Sequence, residues 1–356
     1  MATGTYVRPG QVNTYVRNHE ATGNMIVMYS RAPNKFALPK YVQYRPVSKT
    51  TGLYLRITPE EAGRITNSNL ADYVWPDGAD RPTRSEMERF RYEDYRTQRY
   101  AFPWQLGRKA VEEADWPVDN VNQQIIAQKA MTGRTQAVAT VLQTEANWAT
   151  GHYGDVADIS GNSDSWENST TAAQDIKRSI TYGIQEIQKS TFSVVKQEDL
   201  VLVMNPTTAR RVGTSQEIID FVKQQESAPA ILSHTTDWVL SQYGLPARLY
   251  GVPVLVEDTV MITSKSGAAT ETRTYPMDDG NAFLLARPGS IEASAGGGPS
   301  FSTITLFMLE EMTVEQKDDP DNRRIVGTVV DDYDTVMTAN TSGYWFQNVS
   351  DSDSSS

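Results

Sequence analysis

The side chains in this sequence that could do chemistry are few, and their spacing suits little of it. Glu310-Glu311 and Asp331-Asp332 are the adjacent carboxylates that acid/base catalysis would use. Neighbours on a strand point to opposite faces, so these pairs read as surface acids. Ser233, His234 and Asp237 bring together the groups of a hydrolase triad, yet no Gly-x-Ser-x-Gly elbow occurs to present a serine. Asp158-x-Ser160-x-Asn162-x-Asp164 sets oxygen ligands on alternate residues, as a calcium loop does. Its sixth position is Ser163 rather than Gly and its twelfth is Ser169 rather than Glu, so a polar loop is expected. Gly296-Gly297-Gly298 lacks the Gly-Lys-Ser/Thr of a phosphate cradle and reads as a connector. The chain has no cysteine, and His19, His152 and His234 form no His-x-x-x-His pair. No catalytic, cofactor or metal site is therefore expected. The alternative from the enzyme class is a hydrolase using paired carboxylates, which predicts a monomer inactivated by replacing one Asp or Glu.

The 356 residues suffice for two compact units, and 39% hydrophobic with 22% charged residues is a globular composition. Met1-Ala2-Thr3-Gly4-Thr5-Tyr6 has no signal-peptide pattern and no stretch reaches membrane-span length, so a soluble chain made inside a cell is expected. A net charge of -11 argues against a chain whose main task is gripping nucleic acid. One segment runs the other way. From Asp80 to Lys109, eight basic residues face five acidic ones, a balance of +3, interleaved with Phe90, Tyr92, Tyr95, Tyr100 and Phe102. Such interleaving can bind single-stranded nucleic acid, but the interspersed acids favour a ribbon lying on another protein surface.

The elements around these residues follow from periodicity. Residues 1–24 read as an extended arm, Met25 to Tyr29 as a strand, and Pro33, Pro39, Pro46 and Pro59 mark a loop-rich stretch before the Asp77-Gly78 turn. Pro117 opens a helix expected from Val118 to Asn147, about 30 residues or ~45 Å, with Val121, Ile125, Val138, Val141 and Leu142 on one side and Gly133 weakening its centre. Thr171 to Gln174 form a capping box for a second helix with an Ile176, Ile180, Ile184, Ile187 stripe. Leu200 to Met204 is a strand buried on both faces, stopped by Asn205-Pro206. A helix capped by Thr214 and Glu217 is expected through Gln225. Strands follow at Val252 to Val256, Asn281 to Ala286, Phe301 to Leu309 and Ile325 to Val330. Asp351 to Ser356 is an acidic Ser tail.

The order strand, Asn-Pro, helix, then Tyr250-Gly251-Val252-Pro253-Val254, then a short strand before Arg287-Pro288-Gly289, resembles the axial domain of tailed-phage major capsid proteins of the Hong Kong 97 type. The resemblance covers nearly the whole chain. It implies an α+β Hong Kong 97-like fold, with an arm over 1–24, an extended β-hairpin loop and flanking strands over 25–112, and a peripheral domain with a spine helix over 113–168. An axial domain over 169–299, return strands over 300–349 and a disordered tail over 350–356 complete it. The implied function is self-assembly of pentamers and hexamers into an icosahedral head enclosing double-stranded DNA, in the virion, built in the host cytoplasm. Implied partners are further copies of the chain, a separate scaffolding protein, a portal and a cement protein; the DNA is contacted weakly and no membrane is involved. Arg89, Arg91, Tyr92, Tyr95, Arg96, Arg99 and Tyr100 are the expected inter-subunit contacts. Some relatives join a loop lysine to a neighbour's asparagine; Lys35, Lys40 and Lys49 lie in the right region, with Asn340 or Asn348 as partners, but no motif selects a pair. An encapsulin shell is the alternative within the same fold.

Overall fold

The computed structural model describes residues 31, 35–57, 74, 77, 90–114, 118–226, 243–289, 291–293 and 298–350. The arm, the Met25 to Tyr29 strand, Arg81, Arg84, Arg89, the Ser233 to Asp237 stretch, Gly296, Gly297 and the acidic tail lie outside them. The first half of the described chain forms β1 (Gln43–Pro46), β2 (Thr51–Ile57), β3 (Phe90–Arg96), β4 (Gln98–Gly107), α1 (Arg108–Glu113), α2 (Val118–Leu142), β5 (Tyr153–Asp155) and α3 (Asp175–Ser190). Next come β6 (Leu200–Met204), α4 (Pro206–Gly213), α5 (Gln216–Glu226), β7 (Arg248–Leu249), β8 (Val252–Val256), β9 (Met261–Ile262) and β10 (Arg273–Thr274). The last strands are β11 (Ala282–Ala286), β12 (Ile291–Ala293), β13 (Gly298–Phe301), β14 (Thr305–Asp319), β15 (Arg324–Val336) and β16 (Tyr344–Gln347).

A six-stranded mixed sheet in the order β5-β16-β11-β6-β8-β7 is the centre of the molecule. Its middle strand β6 is apolar at every position because it has a core on each side. Leu200, Leu202 and Met204 join Leu284 over the Ile176, Ile180, Ile184 and Ile187 stripe of α3. Val201 and Val203, pointing the other way, join Phe283 and Leu285 over Val138, Ala139 and Leu142 of α2. The Tyr250-Gly251 link between β7 and β8 takes φ of 48° and 86°, the geometry of a tight hairpin turn, which Gly251 adopts freely. The second sheet has the order β1-β14-β15-β4, with α2 lying across β15 and β4. β14 and β15 are longer than expected: β14 starts at Thr305 and continues through the charged Glu310 to Asp319 stretch, because β15 supplies a hydrogen-bonded partner as far as Arg324. Pairing there overrides a sequence that lacks strand periodicity. The 300–349 stretch feeds both sheets, since β16 pairs with β11.

Several expected details move. α2 ends at Leu142, not Asn147, giving 25 residues. The amide of Asn147 and the indole of Trp148 fold back onto the carbonyls of Val141 (2.9 Å) and Leu142 (2.8 Å), closing the helix with side-chain donors. Ile125 is exposed, because between Val118 and Ala130 no residue of this helix is buried. The Thr171 capping box does not form. α3 starts at Asp175, whose amide donates to Ser169 Oγ (3.0 Å), and the next two amides donate to Glu217 (3.0 and 3.1 Å). Glu217 therefore caps α3 rather than its own helix, and Thr214 belongs to the end of α4, where its hydroxyl donates to the Arg211 carbonyl at 2.7 Å. Asp331 and Asp332 point to opposite faces as expected, but neither is a surface acid. Asp331 is fully buried, gripped by Arg134 of α2 through Nε and Nη2 at 2.6 Å each, and Asp332 lies 3.4 Å from Arg99. The Asp158 to Asp164 loop is a turn held by its own side chains: Asn162 Nδ2 donates to the Val156 carbonyl (2.7 Å) and to Ser179 Oγ (2.8 Å).

Two helix glycines have opposite surroundings, which fixes opposite outcomes on substitution. A methyl at Gly133 would sit 3.6 Å from Phe102 Cζ, an ordinary contact, so Gly133→Ala should stabilise the subunit by about 1 kcal/mol through helix propensity and a less flexible unfolded chain. At Gly183 it would come within 2.7 Å of Phe346 Cζ, a ring with no exposure. Gly183→Ala should cost about 1–3 kcal/mol by overpacking, and urea midpoints of the two variants should move in opposite directions.

Glu257, just after β8, is buried, has no ion-pair partner among the described residues, and accepts from Tyr41 Oη (3.0 Å), Thr259 Oγ1 (2.5 Å) and the Thr259 amide (3.2 Å). Burial raises its carboxyl above the ordinary range. A raised folded-state value means a stability contribution fully present below the unfolded value, about 4.3, and lost as pH rises through the folded value. The difference in Tm between Glu257→Gln and the parent chain should shift in favour of the variant as pH is raised from about 4 to 7.

Candidate assembly surface

The residues that could recognise another surface lie on the β2–β3 hairpin, which among the described residues pairs only with itself. Its register sets Thr51 opposite Arg96, Leu53 opposite Asp94 and Leu55 opposite Tyr92. Because side chains alternate along a strand, these residues share one face, and Tyr54, Arg56, Glu93 and Tyr95 share the other. The second face docks on the body of the same chain. Tyr95 stacks on Phe307 with ring centres 4.5 Å apart at 12°, Tyr54 tilts against the same ring at 5.8 Å, and Gly52 leaves the space in which the Tyr95 ring lies. Arg56 donates to Asn340 Oδ1 near one end of the strand pair, and the Arg96 amide donates to Asp334 Oδ2 at 2.8 Å at the other.

The first face is left open: Leu53 is 68% exposed, Leu55 45% and Tyr92 66%. Three large side chains exposed on a ribbon whose other face is docked form an apolar patch. Beneath the hairpin a cleft of about 360 Å³ runs between Arg56, Arg91 and Glu93 on one side and Val141, Asn147 and Met337 on the other. Glu93 is its electrostatic centre, receiving the Tyr54 hydroxyl and lying 3.5 Å from Arg56 and 3.4 Å from Arg91. Burial, then the bond to Glu93, raises the Tyr54 hydroxyl far above its ordinary value, so it stays a donor. Among the described residues no group of three or more His, Cys, Asp or Glu side chains could hold a metal ion, and no helix is long and apolar enough to cross a membrane.

Sequence comparison finds no matching family model and no matching curated protein. The fold does match solved structures. The mature capsid of bacteriophage PhiM1 has a TM-score of 0.54 and 10% identity over 92% of this chain and 90% of that one. The capsid of an empty GTA particle has a TM-score of 0.54 and 12% identity over 94% and 97%, and the capsid of the cyanophage P-SCSP1u 0.52 and 10% over 97% and 99%. This chain has the Hong Kong 97-like capsid fold.

Within this capsid-type fold, the seven residues expected at inter-subunit contacts fall into separate places. Arg89 lies outside the described residues. Arg91, Tyr92 and Arg96 are exposed on the hairpin, whereas Tyr95 is turned inward onto Phe307. Arg99 and Tyr100 belong to β4: Arg99 is held between Asp332 (3.4 Å) and Glu310 (3.7 Å), and Tyr100 packs on Tyr333 with ring centres 4.8 Å apart. Leu53 and Leu55 are marked in the sequence only by the alternation Leu53-Tyr54-Leu55-Arg56-Ile57, set among prolines that read as a loop. Lys35, Lys40 and Lys49 stay unassigned, while Asn340 is engaged by Arg56 and Asn348 donates to Asp155 at 2.5 Å, both within the chain.

Proposed function

We propose that this chain is a major capsid protein whose copies form the pentamers and hexamers of an icosahedral phage head enclosing double-stranded DNA. The observation that carries the reading is the extent of the fold match: more than nine tenths of this chain aligns with nearly all of two capsid chains, so the likeness is to a whole shell subunit rather than to one borrowed domain. Its role is structural rather than enzymatic. Rings arise from head-to-tail contacts that close by rotation, and the open face of the β2–β3 hairpin links a subunit to its neighbour. In this reading 1–24 is the arm, 25–112 the extended loop, 113–168 and 300–349 the peripheral domain with α2 as spine, and 169–299 the axial domain. The net charge of -11 suits a wall that DNA touches weakly. Further copies of the chain, a separate scaffolding protein, a portal and a cement protein are its partners, and the virion, built in the host cytoplasm, is its place.

The test is expression alone and together with a candidate scaffold encoded beside it, followed by light scattering and negative-stain microscopy. Closed particles, or five- and six-fold rings, are expected. A compact monomer under both conditions would sink the reading.

A further inference from the structure

Arg31 precedes every other described residue, and its contacts converge from three directions. Its amide donates to Gln128 Oε1 of α2 at 2.9 Å. Its guanidinium donates through Nη1 to Asp258 Oδ1, just after β8, at 2.6 Å, and to the Lys35 carbonyl through Nε (3.0 Å) and Nη2. The same guanidinium lies 4.7 Å from the centre of the Phe36 ring, which is 2% exposed. One residue before Asp258, Glu257 takes the Tyr41 hydroxyl at 3.0 Å. Two consecutive acids after β8 therefore hold the incoming chain at two points, one near the surface and one in the core.

The outer point adds little to stability. The Arg31 and Asp258 side chains are 26% and 38% exposed, and water already solvates a pair so open. Phe36, Leu38, Tyr41 and Val42 anchor the segment by burial without it. What Arg31 adds is direction. Its planar fork is fixed by Asp258 and the Lys35 carbonyl while its own amide is held by α2, so the heading of the chain at residue 31 is set by α2 and β8 together. Without these bonds the heading would be set only from Phe36 onward. We propose that Arg31 is a positioning residue: it sets where residues 1–30 leave the body, and so which part of a neighbouring copy the arm over 1–24 can reach. This rests on the capsid reading, in which the arm links copies, and names the residue that aims it.

The chain has no cysteine, so two introduced cysteines carry nitroxide labels at known places. Labels on Val27→Cys and on Lys129→Cys, an exposed position of α2, report the heading in the full chain by pulsed electron spin resonance. The labelled parent should give one narrow distance distribution, and Arg31→Gln and Asp258→Ala should each broaden it. Arg31→Lys keeps the charge without the fork and should broaden it too. Thermal midpoints of dispersed subunits should stay within about 2 °C of the parent. In the variants the free run behind residue 24 lengthens from seven residues to twelve. Effective concentration falls roughly as the −3/2 power of tether length, so the subunit concentration needed for particles with the candidate scaffold should rise about twofold or more, read by light scattering. A distribution as narrow in Arg31→Gln as in the parent overturns the proposal, because burial from Phe36 onward then aims the chain. Assembly at the parental concentration by a variant whose distances have spread overturns it as well, and so does a midpoint lowered by more than about 5 °C, which would make Arg31 a packing residue of its own subunit. The capsid reading stands in all three cases. If the parent chain itself never assembles, the capsid reading falls and the aiming of the arm falls with it.

Discussion

Replacing Leu53 and Leu55 together with Asp is expected to leave the subunit folded and to abolish particle formation at concentrations where the parent chain assembles. The two side chains are 68% and 45% exposed on the open hairpin face, so the fold has little stake in them. An interface that covers them gains roughly 1.5–3 kcal/mol for each leucine buried. Aspartates add the cost of desolvating two charges that stand beside Asp94, directly opposite position 53. If the chain builds a shell through this face, as proposed, the deficit is multiplied, because every subunit then makes the contact. Circular dichroism and thermal midpoint should match the parent, while scattering and microscopy should show subunits or small rings only. Particles of parental yield from the double variant would remove the hairpin face from the assembly mechanism. Tyr95→Ala provides the contrast. It removes a stacked ring from Phe307 inside the subunit, so it should lower the midpoint and loosen the hairpin rather than strip a contact from its outer face.

How much of this could be read from the residues depends on where the physical signal was local. The buried strands Leu200–Met204 and Ala282–Ala286 and the isoleucine stripe of α3 were legible because burial on both faces, or on one helical face, leaves its mark in a run of five residues or a repeat of four. The caps were not. Glu217 shows capping-box spacing to Thr214, yet its carboxylate serves α3, 41 residues away in sequence, where it also takes the hydroxyls of Ser169 and Tyr250 at 2.5 Å each. Nothing local says which helix end an acid will meet. The long β14–β15 ladder was hidden for a similar reason: Glu315, Lys317 and Asp318 have no strand preference, and only the facing strand makes them one. The aromatic and arginine density from Phe90 onward marks a ribbon, but not which face of the β2–β3 pair is open. The choice between Tyr92 outward and Tyr95 inward is set by Phe307, more than 200 residues downstream.

The buried pair that joins α2 to β15 should produce the largest loss of stability from a single substitution. Arg134 and Asp331 are matched through two nearly parallel bonds of 2.6 Å, their side chains 8% and 0% exposed, with the guanidinium 5.9 Å from the Tyr44 ring and 5.8 Å from the Tyr333 ring. Exposed pairs such as Lys109 with Glu113 contribute at most about 0.5 kcal/mol, because water already solvates both charges. Here water is excluded, so Arg134→Met strands a carboxylate and Asp331→Leu strands a guanidinium. Each single variant should lose about 3–5 kcal/mol, read as a lowered urea midpoint of dispersed subunits. The double variant Arg134→Met with Asp331→Leu strands neither charge and fills the space with apolar atoms, so it should recover most of the loss. Recovery would assign the pair's worth to mutual neutralisation rather than to attraction. No recovery would mean that the bidentate geometry itself holds the helix in place, and single variants as stable as the parent would show that α2 is fixed to the sheet by Val138, Ala139 and Leu142 alone.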